Sequence, residues 1–382
     1  MKKVYSDFVK FVREIYGSDR YIPLHEPRFN GKEREYVLEA IESTFVSSVG
    51  HYVSKFEQAV SKYTGAKFSV ATVNGTSALH TALLMHGVGN GDEVITQPLT
   101  FVATCNAISY CGADPVFVDV EKKSLGICPD SLSQFLHDNA ELRDDGKCRN
   151  KITGKRIIAC VLVHNFGHPS KIKAISQLCT QYNIIVIEDA AESLGSLFEN
   201  KHTGTFGAMG ILSFNGNKIV TAGGGGMIIT DDEEMANHAK HKTNTAKLPH
   251  PWMFLHNEIG YNYRMPNLNA ALGYAQLELI ENFVKKKRVL ADKYFQWFTE
   301  YGYEMIREPN GARSNYWFNT ILTQNRMERD AFLKFTNEND VMTRPAWTPM
   351  HTLPMYEHCV RTELPATEWL EDRIVNIPSS VI

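Results

Sequence analysis

Between about residues 55 and 230 the chain alternates helical patterns with short β-rich runs, and no other feature restricts the fold as much. The runs are "FSVATV" (68–73), "DEVITQP" (92–98), "DPVFVDV" (114–120), "RIIACVLVHNF" (156–166), "NIIVIEDA" (183–190), "GILSFNG" (210–216) and "GMIITD" (226–231). Several are continuously apolar, as strands covered on both faces must be. Strands spaced by helices imply right-handed βαβ units and an α/β layered domain with a mostly parallel central sheet flanked by helices. After Asp231 the character changes: "DDEEMANHAKHK" reads as an exposed charged helix, and a long helical stretch runs from about 267 to 298. This predicts a large domain over 1–250, with an N-terminal helical segment, and a smaller α+β domain over 251–382.

Charge and composition remove several function classes. A formal net charge of −3 shows no basic excess, so nucleic-acid binding and a membrane-surface role have no electrostatic support. The N-terminus "MKKVYSDFVKFVREIYG" carries charges throughout and lacks the apolar core of a signal peptide; Val4, Phe8, Val12 and Ile15 instead share a helical face. The apolar run 157–163 is far too short to span a bilayer, so a cytoplasmic, soluble protein is expected. Seven cysteines with no CxxC pair argue against zinc thiolate sites and disulfide frameworks. His164 and His168 stand four apart, but Pro169 and the strand context keep them off one helical face; no metal site is expected there.

The stretch "SFNGNKIVTAGGGG" (213–226) places Lys218 near four consecutive glycines. A phosphate loop of the G-x-x-x-x-G-K-[ST] type fails, because position 212 is Leu212 and Ile219 follows the lysine. The dinucleotide fingerprint also fails, because its third glycine would fall on Ile228 or Ile229. Lying between two strand-like runs, the glycines read as a tight connection needing positive φ. Lys218 is different: no charged residue precedes it within ten positions, and an apolar, Gly-lined setting makes it a candidate nucleophile.

Other pieces fall in a telling order. "VATVNGTSALHTALL" (70–84) runs from a strand into a helix, with Thr76 and Ser77 where exposed N–H groups bind anions; capping alone would also account for them. Phe101 follows a strand, where it could stack on a planar ring or fill core. Asp189 ends the strand of "NIIVIEDAAES", at the edge where parallel sheets bind ligands, or caps the next helix. A phosphate site, a stacking face, a carboxylate and a lysine together are what pyridoxal 5'-phosphate requires.

With these pieces in place the chain resembles, over essentially its whole length, the fold-type I sugar aminotransferases of the DegT/DnrJ/StrS group. The resemblance rests on "TFVSSVGHYVSKFE", "NGTSALHTAL", "DEVITQPLTFVAT", "ADPVFVDV", "IEDAAES", "SFNGNK", "GYNYRMPNLNAALG" and "TRPAWTPMHTLPMY". It implies pyridoxal phosphate as cofactor, with Lys218 bonded to its aldehyde. Ser213, Thr76 and Ser77 would hold the phosphate, Asp189 would pair with the pyridine nitrogen, Glu192 would lie near the ring hydroxyl and Phe101 would stack on the ring. Asn262 of "GYNYR" resembles an asparagine that reaches the neighbouring subunit's phosphate, which implies a homodimer with shared active sites. Gly224 replaces a glutamate common in the family, and altered loop chemistry is expected there. "IPLHEPRF", "STFVSSVG" and "NIPSSVI" look most like enzymes that aminate C4 of a UDP-linked 2-acetamido-2,6-dideoxy-hexos-4-ulose, with glutamate as donor. The alternative is a dTDP- or GDP-linked 4-keto-6-deoxyhexose, in either case for bacterial surface glycans. Substrate contacts are expected from Ser47, Ser48, His25, Arg28 and His351. Two further readings, a sugar dehydratase of the same superfamily and a non-catalytic sugar-nucleotide binding protein, are disfavoured because Lys218 and Asp189 are both present.

Overall fold

The computed structural model describes residues 2–382. In chain order the first strands are β1 (Phe68–Thr72), β2 (Asp92–Thr96), β3 (Asp114–Phe117), β4 (Ala140–Leu142), β5 (Cys148–Asn150), β6 (Arg156–Val163) and β7 (Ile185–Asp189). There follow β8 (Leu197–Phe198), β9 (Lys201–His202), β10 (Met209–Ser213) and β11 (Gly226–Thr230). All seven β-rich runs lie in one sheet of order β1-β11-β10-β7-β6-β2-β3, with the β4–β5 hairpin beside β6. Pairing is parallel from β10 through β7, β6 and β2 to β3, whereas β11 is antiparallel to both β1 and β10. Along that path, therefore, β11 is the reversed strand, and the carboxyl ends of the other six open on one edge. Register lines this edge up: Thr72 opposes Gly226, Gly226 opposes Ser213, and Asp189 opposes Ile211 on one side and Val163 on the other.

Helices α1 (Lys2–Tyr16), α2 (Glu33–Glu42), α3 (His51–Thr64), α4 (Gly75–Met85), α5 (Val102–Tyr110), α6 (Pro129–Asn139), α7 (Ile172–Gln181) and α8 (Glu233–Thr243) precede α9 (Asn267–Leu277), α10 (Ile280–Glu300), α11 (Arg326–Glu338) and α12 (Pro365–Glu371). Both faces of the sheet are covered. Leu212, Met227 and Ile229 join an apolar cluster with Phe56 of α3 and Ala270 of α9, while the alternate residues Ile211 and Ile228 join Leu79 of α4 and Ala236 of α8 on the other face. That period of two, with both sets buried, explains why these strands read as unbroken apolar runs.

A second, antiparallel sheet is built from β12 (Glu304–Met305), β14 (Asn319–Leu322), β16 (Ile374–Ile377) and β15 (Arg344–Pro345), in that spatial order; β13 (Ala312–Arg313) pairs instead with β8. The helical stretch 267–298 is two helices, not one. Its first part, α9, lies on α2 and α3, where Gly273 lets the ring of Phe56 approach so closely that a Cβ would sit 2.8 Å from it. After a break at Glu278 and Leu279, α10 turns Leu290, Tyr294 and Phe298 onto the second sheet. Tyr5, Phe8 and Val12 of α1 are buried in that same cluster. A division at residue 250 is thus crossed by packing at both ends: α1 sits with the second sheet and α9 with the first.

Candidate active site

The strand edge gathers polar side chains because strands stop there and helices begin. After β1, Asn74 caps α4, its Oδ1 accepting from Ser77 N–H at 2.7 Å. The first N–H groups of a helix have no partner within it, so the start of α4 presents donors and a positive dipole end. Ser213, at the end of β10, closes on this turn: a Cβ on Gly75 would lie 3.2 Å from Ser213 Cβ and 3.4 Å from its Oγ. Gly226 presses the same turn from β11, where a Cβ would come within 2.4 Å of Asn74 C and O. Thr76, Ser77 and Ser213 thus surround one helix N-terminus, a ready-made phosphate site.

Asp189 ends β7 beside α5. Thr104 Oγ1 donates to Asp189 Oδ2 at 2.9 Å and Ala191 N–H to Oδ1 at 3.2 Å. Burial pushes its carboxyl above the ordinary range, offset in part by those two donors and by the charge of Lys218. Phe101 caps the start of α5, its side chain 53% exposed and 6.4 Å from the ring of Trp347. Trp347 in turn stacks on Phe166 at 4.9 Å. Phe166 holds a left-handed backbone, φ +56°, which a bulky residue adopts only when its surroundings impose it. Its N–H donates to Glu192 Oε2 at 2.8 Å, fixing that carboxylate.

Lys218 lies in the loop between β10 and β11. Its Nζ is 3.5 Å from Glu192 Oε1 and 3.9 Å from the ring centre of Trp317, with its side chain 12% exposed. Burial raises the Glu192 carboxyl, and Lys218 opposes that rise. The glycines after Lys218 do serve as a strand connection: Gly223 is at φ +74°, and Asn269 Nδ2 holds the loop by donating to Ala222 O and Gly224 O. Gly224 itself has room, since a Cβ there would meet only Val73 O at 3.8 Å.

The remaining expected residues scatter. His25 has both ring nitrogens buried without a partner among the described residues; burial, then the charges of Lys287 and Lys218, hold its pKa well below the usual value. Arg28 is engaged with Glu26 at 3.0 Å and Val381 O at 3.3 Å. Ser47 O accepts from Asn267 N–H, and Ser48 is half-buried in the same turn before α3. The structure brings neither serine against Lys218. His351 is 8% exposed in a short 3-10 turn docked on Pro98 O, with its Nδ1 unpartnered. Asn262 is exposed, on a segment whose neighbour Tyr263 O accepts from Val73 N–H beside the start of α4. His164 is part of the support: its Nδ1 accepts from Ser170 N–H, and Nε2 meets Glu188 Oε2 at 3.0 Å. Sequence reasoning missed Thr104, Trp317, Phe166 and Trp347. Only Thr104 left a local signal, as the hydroxyl one turn into the helix after Phe101.

Pyridoxal phosphate fits this donor set. A buried carboxylate that burial has raised suits a cationic ring nitrogen, and the Gly75–Ser213 contact shapes a cradle at the start of α4. Comparison with known proteins agrees. Residues 27–381 match the DegT/DnrJ/EryC1/StrS aminotransferase family. The chain is 38% identical over 361 residues to GDP-perosamine synthase of Escherichia coli O157:H7, covering 94% of this chain and 93% of that one. Against GDP-perosamine synthase of Vibrio cholerae, identity is 34% with 94% of each chain covered. Among solved structures, the aminotransferase TlmJ from Streptoalloteichus hindustanus matches with a TM-score of 0.84 at 27% identity, covering 94% of this chain and 93% of that one.

Proposed function

This chain belongs to the DegT/DnrJ/EryC1/StrS aminotransferase family and is a pyridoxal-phosphate-dependent sugar aminotransferase, and on that premise we propose that it moves the amino group of glutamate to C4 of a GDP-linked 4-keto-6-deoxyhexose. The substrate reading turns from the UDP-linked sugar expected at first to the GDP-linked alternative. One observation carries the change: relatives at 38% and 34% identity over 94% of the chain are GDP-perosamine synthases. Such a product would serve a bacterial surface glycan.

When bound, the cofactor supplies an electron sink for the carbon that loses a proton. The side chains around it divide the remaining work. Lys218 would hold the cofactor aldehyde and, as a free amine, would take and return the proton at the carbon that bears the donor nitrogen. Asp189, braced by Thr104 and Ala191 N–H, would pair with the ring nitrogen and keep a proton on it. Glu192 stands between the Phe166 N–H and Lys218, where it would accept from the ring hydroxyl and keep the lysine aimed. Thr76, Ser77 and Ser213 would hold the phosphate, and Phe101 would cover a ring face. His25, His351, Arg28, Ser47 and Ser48 are the proposed sugar-nucleotide contacts. His25 is the best supported of these, because its two buried ring nitrogens find no partner among the described residues.

A homodimer with shared sites belongs to the same proposal. Trp252, Phe254 and Ile259 are each about 80% exposed just before Asn262, an apolar surface suited to a second copy. No described helix is long and apolar enough to cross a membrane; a cytoplasmic setting is proposed from the nucleotide-sugar substrate. The test is to compare amination of GDP-, dTDP- and UDP-linked 4-keto sugars with glutamate. The GDP-linked substrate is expected to lead by about tenfold or more in kcat/KM. Faster turnover of the UDP-linked 2-acetamido sugar would overturn the assignment.

A further inference from the structure

Lys287 is a buried cation that the reaction outlined above leaves unused. It is the third of three successive lysines on α10; Lys285 and Lys286 face solvent, whereas Lys287 is 0% exposed. No carboxylate among the described residues pairs with it. Its ammonium donates instead to two backbone carbonyls, Trp317 O at 3.1 Å and Ser379 O. An unpaired buried ammonium is expensive, and an apolar side chain would fill the same space at far lower cost. Burial brings the Lys287 pKa down to about 7, where the neutral amine has two N–H groups for its two carbonyl acceptors.

Both acceptors lead to the active site. Trp317 lies against Lys218, its ring centre 3.9 Å from Nζ, and its Nε1–H donates to Asn217 O at 2.8 Å, one residue before the lysine. The N–H of Trp317 donates to Asn315 Oδ1, while Asn315 Nδ2 donates to the carbonyls of Glu192 and Leu194. On the other branch, Ser379 N–H donates to Leu24 O and Ser380 Oγ accepts from Glu26 N–H, so the C-terminal turn grips the residues on either side of His25. Lys287 therefore ties together the wall beneath the reacting lysine and the wall that carries His25.

We propose that Lys287 is a positioning residue: by holding the Trp317 and Ser379 carbonyls it seats the Trp317 indole under Lys218 and keeps Lys218 aimed at Glu192. This rests on the reading of Lys218 as the reacting lysine. Trp317 is the relay, so variants at Lys287 and Trp317 must act through one path. The prediction excludes a role confined to anchoring the C-terminus, which would leave Lys218 chemistry unchanged in any variant that folds.

The experiment uses full-length Lys287→Met, Lys287→Gln, Trp317→Phe and the Lys287→Met/Trp317→Phe double variant, with Lys218→Ala as control. Circular dichroism and a thermal melt establish folding. In the cofactor-free protein, Lys218 is labelled with formaldehyde and cyanoborohydride and quantified by peptide mass spectrometry; in the holoenzyme, kcat and KM for glutamate are measured. Lys287→Met is expected to lower kcat about tenfold to a hundredfold, with KM changed less than about threefold, because a small misplacement of the reacting amine is costly. Labelling of Lys218 is expected to rise about threefold or more as its contacts with Trp317 and Glu192 loosen. Lys287→Gln, which retains a donor, should fall between, and the double variant should lose little beyond the larger single loss. Unchanged kcat and labelling in a folded Lys287→Met protein overturn the proposal, as does unchanged labelling in Trp317→Phe or additive losses in the double variant. If both Lys287 variants fail to fold while Trp317→Phe folds, Lys287 serves the fold alone and the proposal falls. Full activity in Lys218→Ala would instead remove the reading beneath it.

Discussion

Asp189 is buried at a strand end with two hydrogen-bond donors to it and a carboxyl raised by burial, so its ionised form costs the free protein stability. A carboxyl raised in the folded state binds more protons folded than unfolded, so its contribution to stability falls as pH rises above the ordinary aspartate value of 3.8. Asp189→Asn is accordingly expected to make the cofactor-free protein more stable than wild type near neutrality, with the gain shrinking toward acid pH in thermal melts. The same change should lower kcat by on the order of a hundredfold or more. Lys287 gives the opposite slope. Its pKa falls from 10.5 to about 7 on folding, so the unfolded chain binds the extra proton between those values and stability rises with pH there. Urea denaturation of wild type and Lys287→Met should show wild type gaining on the variant by up to about 1.4 kcal/mol per pH unit above pH 7. Lys218 and Asp189 were legible as residues because each stands out locally: a lone charge in an apolar stretch, and an acid closing a strand. Trp317 was not, since nothing within ten residues of it ties it to Lys218.

At the scale of elements, the site depends on how closely β11 and the start of α4 approach. Gly226→Ala would place a Cβ 2.4 Å from Asn74 C and 2.6 Å from Gly75 N, both backbone atoms that cannot swing aside. A loss of about 1–3 kcal/mol in urea denaturation is expected, together with weaker cofactor binding. Gly224→Ala is the control: with only Val73 O at 3.8 Å, it should be near neutral, although it too lies in the glycine run. The seven strands were readable because burial on both faces leaves a continuous apolar signature. The break between α9 and α10 was not, because no proline or glycine marks it; the chain turns there because the two halves serve different sheets.

At the scale of the molecule, the exposed Trp252, Phe254 and Ile259 and the outward Asn262 lead to a complementation test. Lys218→Ala and Asn262→Ala proteins, each weakly active alone, should regain activity when unfolded and refolded together, if each site draws Asn262 from the partner. Sites complete within one chain would regain none. The amino-acid sequence alone determined the parallel-sheet class and the capped turn at the start of α4, and it singled out Lys218 and Asp189, because each is written in local pattern: strand periodicity, a cap, a lone charge. The tertiary structure alone decided what surrounds them. Thr104 on Asp189, Trp317 beneath Lys218, the strained Phe166 aiming Glu192 and the buried Lys287 behind them pair residues up to 100 apart in the chain, which only the tertiary packing brings together. Local pattern reports what a residue is exposed to along the chain, and burial against distant residues sets what its side chain can do.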